Sequence, residues 1–395
     1  MVSHIELGSI LHIEKGKKPK RQQTEMAEGL LPYVDIKAFE KGIIDNYASP
    51  EKCLLCEDGD LLIVCDGSRS GLTGRAVKGV VGSTLSKIYA DGLTTEYLQY
   101  FIQSKYILLN TQKKGTGTPH LNAEILKRSK LVVPTIPEQE RIVSKIEELF
   151  SKLDASVAEL QTAKEKLKVY RQAVLKEAFQ QAISMDSKEM TIDDLLVKTR
   201  KGMSTGPFGT MLKKHEHQST GIPVLGIENI GEGEFIPGNK IFVTPEKALE
   251  LQAFRLHAGD IIISRSGTVG ELCIVPSYME NALLSTNLMR ISLDDEIVLP
   301  RYFVYLFRSK GVVDQVKELC KGSTRMFLNQ TILKQIRFPI PTIPAQQKLI
   351  ELVESRLSIC DSIQQTIDIS LQQAEALRQS ILKQAFEGEI INDRN

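Results

Sequence analysis

The sequence predicts an α+β protein made twice over, with two pseudo-repeated globular domains separated by two long antiparallel helices that form a coiled coil. Two observations predict it. Pro134-Thr135-Ile136-Pro137 opens a helical tract ending at Ala178-Phe179, and Pro341-Thr342-Ile343-Pro344 opens another ending at Ala385-Phe386. The spacing between copies is the same at both ends (341 − 134 and 386 − 179 are both 207), so the tract recurs without insertion or deletion. In addition, glycine and proline are absent from 138–180 and from 345–387. The repeat divides the chain into a first globular domain over 1–135, a long helix over 136–183, a second globular domain over 184–342, a second long helix over 343–388 and a tail over 389–395.

The chain of 395 residues is too long for one ordinary core, and 42% hydrophobic with 25% charged residues is the composition of a folded, soluble protein. No run of about 18 apolar residues is present, and Met1-Val2-Ser3-His4-Ile5-Glu6 lacks a basic region followed by an apolar stretch. The expected compartment is therefore the cytoplasm, with no membrane partner. Six scattered cysteines form no disulfide framework. Cys53-Leu54-Leu55-Cys56 lacks the second pair that tetrahedral zinc needs, so it reads as small buried side chains and no metal site is expected.

Within the globular parts the repeat continues with shifts that mark loop-length differences. Leu31-Pro32-Tyr33-Val34 matches Ile222-Pro223-Val224-Leu225, and Gly59-Asp60-Leu61-Leu62-Ile63 matches Gly259-Asp260-Ile261-Ile262-Ile263. Lys114-Gly115-Thr116 and Leu121-Asn122 match Lys321-Gly322-Ser323 and Leu328-Asn329. Short apolar runs after the Gly-Asp turns read as strands leading into Gly-rich loops. A short helix is expected from Glu96 to Leu109, and its counterpart from Pro300 to Phe307, where proline suits a first turn.

In the first long tract Ile146, Leu149, Leu153, Ser156, Leu160, Ala163, Leu167, Tyr170 and Val174 alternate steps of three and four, which is a coiled-coil seam. The same positions in the second copy, Val353, Arg356, Cys360, Ile363, Ile367, Ser370, Ala374, Leu377 and Ile381, give a weaker seam in which Leu357 and Leu371 can supply contacts one position along. A helix of about 43 residues is roughly 65 Å long and needs a partner for its stripe, and the other copy is the nearest candidate. Antiparallel packing would put one globular domain at each end.

Net charge is +1, so the molecule as a whole is no general polyanion binder. The first tract is neutral, with eight acids and eight bases over 138–180, and the basic surplus lies in the segments before the tracts. Lys113, Lys114, Lys127, Arg128 and Lys130 face only Glu124 over 113–130, and Lys321, Arg325, Lys334 and Arg337 stand without an acid over 321–337. A basic segment kept in both copies fits a phosphate-facing surface. No phosphate loop with its lysine is present, no N-P-P-[FY] or D-P-P-[FY] tetrapeptide, and no duplicated nucleophile or base. Asp35-Ile36-Lys37 resembles the tail of a nuclease motif, but the second copy reads Gly226-Ile227-Glu228. His215-Glu216-His217 has no counterpart in the first copy.

What recurs is loops rich in groups suited to DNA. Ser264-Arg265-Ser266-Gly267-Thr268 follows one strand and Cys65-Asp66-Gly67-Ser68-Arg69 its equivalent. Arginine can bond two acceptors of guanine, hydroxyls can meet phosphate or base, and glycine lets the backbone approach. The candidate DNA-binding residues are Lys15, Lys17, Lys18, Arg69, Lys113, Lys114 and Thr116 in the first domain, and Lys201, Arg265, Ser266, Thr268, Lys321, Ser323 and Arg325 in the second.

With these features the chain resembles the specificity subunit of type I restriction-modification systems. The likeness rests on Pro134-Thr135-Ile136-Pro137-Glu138-Gln139-Glu140 with Pro341-Thr342-Ile343-Pro344-Ala345-Gln346-Gln347, on Arg171-Gln172-Ala173-Val174-Leu175-Lys176 with Arg378-Gln379-Ser380-Ile381-Leu382-Lys383, and on the order of domains and helices over nearly the whole chain. Ala345 departs from the pattern where the first copy has Glu138. The resemblance implies two target-recognition domains, each reading one half of a bipartite, asymmetric sequence in double-stranded DNA. It also implies two methyltransferase subunits docked on the helices, binding S-adenosylmethionine and flipping adenine out to methylate it, and two restriction or motor subunits using ATP and Mg. Recognition then belongs to this chain, which needs no cofactor, and catalysis to its partners. The alternatives are a coiled-coil scaffold whose end domains bind proteins, and a nuclease site at Asp35 and Lys37.

Overall fold

The computed structural model describes residues 4–115, 119–184, 187–208, 211–320 and 327–387. The chain divides into two compact units, Met1–Gln161 with Asp368–Asn395, and Thr162–Ile367. Each unit combines one globular part with a portion of both long helices.

In the first unit a four-stranded antiparallel sheet runs in the order Leu11–Lys15, Leu85–Ala90, Leu61–Val64, Thr73–Arg75. A five-stranded sheet orders Gln22–Gln23, Tyr47–Ala48, Leu31–Val34, Gly79–Val81 and Leu55–Cys56, with Tyr33 opposite Val80 in its one parallel pair. His4–Glu6 pairs with Lys130–Val132 beside the start of the first long helix.

The second unit repeats this plan. Its four-stranded sheet orders Met203–Thr205, Leu288–Ile291, Ile261–Ser264 and Leu272–Ile274. A smaller sheet centres on Ile222–Leu225 parallel to Leu283–Leu284, and Lys188–Met190 pairs with Phe338–Ile340. The outer strands that the smaller sheet lacks persist as isolated bridges, Gln218 to Phe242 and Arg255 to Leu283, at the register of Gln23 to Tyr47 and Leu55 to Val80. Leu61–Val64 and Ile261–Ser264 are buried along their whole length, which is why they read as unbroken apolar runs rather than alternating ones.

The expected short helices are each two helices. Thr95–Ser104 is followed by Tyr106–Thr111, and Pro300–Arg308 by Lys310–Leu319, which lay beyond the predicted end at Phe307. The break falls at Lys105 in one copy and at Ser309 in the other, where an extended ψ of 151° turns the chain.

The long helices run Ile136–Ser184 and Ile343–Glu387. Thr135 caps the first: its N–H and hydroxyl both donate to the Glu138 carboxylate, at 2.9 and 2.8 Å, and Gln139 N–H donates to its carbonyl. In the first unit Ile142, Val143, Ile146 and Phe150 share a core with Ile381, Leu382 and Ala385. In the second, Leu175, Ala178 and Phe179 share one with Leu349, Ile350 and Val353. Early residues of one helix meet late residues of the other in both units, so the segments pack antiparallel within each.

Ile146, Leu167, Val174, Val353, Cys360, Ile367 and Ile381 are buried, and Leu149, Leu153 and Leu160 partly so. The predicted seam needs correction at five places. Ser156 and Ala163 are exposed, Tyr170 is 51%, Ile363 44% and Leu377 50% exposed, and the stripe instead steps one position on, through Val157, Lys164, Arg171, Gln364 and Arg378. The reason is that long side chains cover apolar surface with their stems while their charges reach out. Arg171 pairs with Asp361 at 2.5 Å, and Arg378 lies over the Phe150 ring at 4.3 Å while pairing with Asp154.

Candidate nucleic-acid interface

The loop after each central strand is built on the same backbone scaffold. Cys65 N–H donates to the Thr84 carbonyl, at 2.8 Å, and its own carbonyl accepts from Leu121 at 2.7 Å. Arg265 N–H donates to the Asn287 carbonyl at 2.9 Å, and its carbonyl accepts from Leu328 at 3.0 Å. Each loop closes on its own strand, Gly71 N–H to the Val64 carbonyl in one and Gly270 N–H to the Ser264 carbonyl in the other. Cys65 and Arg265 therefore occupy the same seat with different side chains.

In the second unit that seat presents a cation. Arg265 is half-buried, its guanidinium 4.7 Å over the Phe327 ring, with long bonds of 3.4 Å from Nε to the Leu328 carbonyl and from Nη1 to the Thr286 carbonyl. Among the described residues no carboxylate comes within 4.0 Å of it, so its charge is not neutralised by a partner. Burial pulls its pKa down from the usual guanidinium value. Ser266 donates to Asn287 Oδ1 at 3.3 Å, and Thr268, exposed, to Ser264 Oγ at 3.4 Å. Lys201 is exposed, with its carbonyl accepting from the buried Arg290 at 2.8 Å.

The first unit presents a different arrangement. Asp66 sits between Lys15, at 3.0 Å, and His120, at 2.7 Å. Burial pushes the Asp66 carboxyl up, but bonds from His120 and Lys15 outweigh it and hold it below the usual range. Arg69 pairs with Glu40 of the helix Ile36–Lys41. Lys113 Nζ donates to the Ser68 carbonyl at 2.8 Å, where Asn110 also donates, so it braces the loop from within. Lys114 meets His120 through backbone bonds in both directions, and Lys17 and Lys18 are exposed. Thr116, Lys321, Ser323 and Arg325 lie outside the described residues. The carboxylate of Asp35, from the nuclease-like tripeptide, accepts from Lys37 and Ala38 N–H as a helix cap, and Lys37 pairs with Asp45 at 2.7 Å.

His120 and Phe327 stand at the same repeat position, one residue before the Leu-Asn matches, and each holds the neighbouring loop by a different contact. The repeat of Leu121-Asn122 in Leu328-Asn329 is the signal that marks them. Gln139 and Gln346 were visible only as parts of a motif. Both are fully buried. Gln139 Oε1 accepts from Thr94 N–H at 2.8 Å while Nε2 donates to the Gly92 and Pro134 carbonyls, and Gln346 does the same with Leu299, Ile297 and Pro341. These glutamines fasten each long helix to the globular part of its unit.

The family model for the type I restriction modification DNA specificity domain matches residues 2–165 and 186–373. The chain belongs to this family. It is 24% identical over 400 residues to the MjaVIII specificity subunit of Methanocaldococcus jannaschii, covering 98% of this chain and 92% of that protein. It is 23% identical to the EcoBI specificity subunit of Escherichia coli, covering 98% and 85%. Among solved structures, a chain from work on complex assembly and conformational transition of the type I R-M system superposes with a TM-score of 0.72 at 16% identity, covering 98% of both chains. The HsdS subunit from Thermoanaerobacter tengcongensis gives 0.52 at 16% identity, covering 98% and 97%. A specificity-domain family member is a DNA-recognition component rather than a catalyst, and its two domains are the two copies of the repeat.

Proposed function

We propose that this chain is the sequence-specific DNA-recognition subunit of a type I restriction-modification complex, with each unit reading one half of a bipartite asymmetric site and the long helices docking two adenine methyltransferase subunits. The observation that carries the reading is the shared seat of Cys65 and Arg265: one backbone scaffold, two side chains with different hydrogen-bonding abilities. A repeated frame with unlike readers is what an asymmetric two-part site requires. Candidate DNA contacts are Lys15, Lys17, Lys18, Arg69, Lys113, Lys114 and Thr116 for one half-site, and Lys201, Arg265, Ser266, Thr268, Lys321, Ser323 and Arg325 for the other.

Support for docking on the helices comes from apolar side chains left exposed there, Val169 at 71% and Ile359 at 59% among them. S-adenosylmethionine, ATP and Mg then belong to the methyltransferase subunits and to two restriction or motor subunits. The test is methylation mapping of the complex assembled around this chain. One bipartite motif is expected, and removing one heptad from each long helix changes its spacer while the half-site sequences stay the same. A changed half-site with an unchanged spacer would remove the role assigned to the helices.

A further inference from the structure

The two units differ in the charge they hold at one matched place of their four-stranded sheets. In the first, Lys87 stands opposite Glu14 on one neighbouring strand and Leu62 on the other, and its ammonium pairs with Asp60 of the Gly-Asp turn at 2.6 Å. In the second, Arg290 stands opposite Ser204 and Ile262. The matching Asp260 is taken by Arg200, whose two terminal nitrogens meet its two oxygens at 2.8 and 3.3 Å, and Ser292 and the His257 N–H also donate to it. One cation thus stands beside two carboxylates in the first unit, whereas two cations share one carboxylate in the second.

Arg290 is only 6% exposed and Ser204 3%. Arg290 Nη1 donates to the Arg255 carbonyl at 2.5 Å and Nη2 to the Lys201 carbonyl at 2.8 Å. Its Nε and the Ser204 hydroxyl are buried and find no hydrogen-bond partner among the described residues, and no described carboxylate lies within 4.0 Å of Arg290. Burial pulls the Arg290 pKa below the usual guanidinium value, against the attraction of Asp260 and together with the repulsion of Arg200. Residues directly opposite on antiparallel strands point to the same face with Cβ atoms about 4.5–5.5 Å apart, so the two unpartnered donors are neighbours. A buried charge without a counter-charge and buried donors without acceptors are both unfavourable, and a single anion between them removes both costs.

We infer that the second unit binds a small monovalent anion of the size of chloride between the Arg290 Nε–H and the Ser204 hydroxyl, and that the first unit does not. Both terminal nitrogens of Arg290 are engaged by carbonyls, so the two-pronged edge that grips a carboxylate or phosphate is already in use. One N–H with one hydroxyl suits a spherical ion. In the first unit Glu14 and Asp60 supply the negative charge from the chain itself. The anion acts on the second unit through Arg290, whose guanidinium holds the backbone of Lys201 at the entry to its strand. The inference stands apart from the function proposed above.

The test follows thermal unfolding of the full chain in sodium chloride against sodium gluconate at equal ionic strength, gluconate being too large for the site, and locates bromide by anomalous scattering in crystals grown from sodium bromide. Chloride is expected to raise the unfolding temperature along a saturating curve, and bromide to give a peak between Ser204 and Arg290 and none between Glu14 and Lys87. Ser204→Ala should move the halide titration to about tenfold higher concentration through loss of one hydrogen bond to the ion. Ser204→Glu, which gives the second unit the carboxylate of the first, should abolish the halide dependence. An equal rise in gluconate would overturn the inference by reducing the effect to screening. A bromide peak without halide dependence in solution would mark an adventitious ion only, and overturn it as well. Should Ser204→Glu fail to fold, the Ser204→Ala titration decides, since an unchanged midpoint there removes Ser204 from the site and the inference with it.

Discussion

At the scale of single residues, the strongest constraint is the buried amide. Gln346 Oε1 satisfies one N–H and its Nε2 satisfies two carbonyls, in a place without access to water. Replacing it with Leu leaves all three groups unpaired, and each orphaned group costs about 1–3 kcal/mol, so urea unfolding of Gln346→Leu should show a loss of at least that size. Gln346→Glu is the sharper variant, because it keeps the acceptor and loses both donors; it should fail to restore the midpoint, whereas a role in packing alone would let it do so. The cap at the start of the first helix adds a pH dependence. Bonds from Thr135 N–H and then from its hydroxyl hold the Glu138 carboxyl below its usual range. A carboxylate with a depressed pKa contributes stability above its unfolded pKa and loses it as pH falls through the folded one. The melting-temperature gap between the native chain and Glu138→Gln should therefore be open at neutral pH and close on acidification. Ala345 lacks this carboxylate, and Ala345→Glu should raise the melting temperature near neutral pH by completing the second cap.

At the scale of elements, legibility in the sequence followed the physics of each signal. The helix openings, with Thr before Ile-Pro and a Gln three residues into the helix after them, are local chemistry and could be read directly. The strands after Gly-Asp turns could be read because full burial demands an unbroken apolar run. The seam departs from the apolar count at Ser156, Ala163, Tyr170, Ile363 and Leu377 because such a count leaves out the stems of long polar side chains, as where Arg378 beside Leu377 lies over the Phe150 ring. The helix Lys310–Leu319 is hard to read from the sequence because Gly311 in its first turn has poor helix propensity and its N-cap Ser309 makes no side-chain capping bond. One close approach was also invisible: a Cβ on Gly206 would sit 1.9 Å from the Ser285 carbonyl oxygen, and on Gly16 2.3 Å from that of Gly82. Both glycines follow the first strand of their four-stranded sheet, where the chain passes the loop between the two sheets. Gly206→Ala should cost about 1–3 kcal/mol through backbone displacement, measurable as a shift in the unfolding midpoint, with Gly16→Ala behaving alike.

At the scale of the whole molecule, the repeat can be tested by making one copy resemble the other at a single seat. Arg265 and Cys65 share their backbone bonds, so Arg265→Cys places in the second unit a side chain whose seat the first unit already accommodates. Folding should be preserved and the change confined to what the loop can bond. Arginine offers several donors and cysteine one weak donor, so a base read by Arg265 should lose about 1–3 kcal/mol of discrimination. Methylation mapping of the complex carrying Arg265→Cys should then return a motif degenerate at one position in one half-site, with the other half-site and the spacer intact. A uniform fall in methylation across all sequences would instead assign Arg265 to phosphate, where removing a contact weakens every site alike and lowers the salt slope by about one unit. An unchanged motif at unchanged yield would take Arg265 off the DNA face. The inverse substitution, Cys65→Arg, should leave the second half-site untouched, because the two loops share a plan but are built from separate residues in separate units.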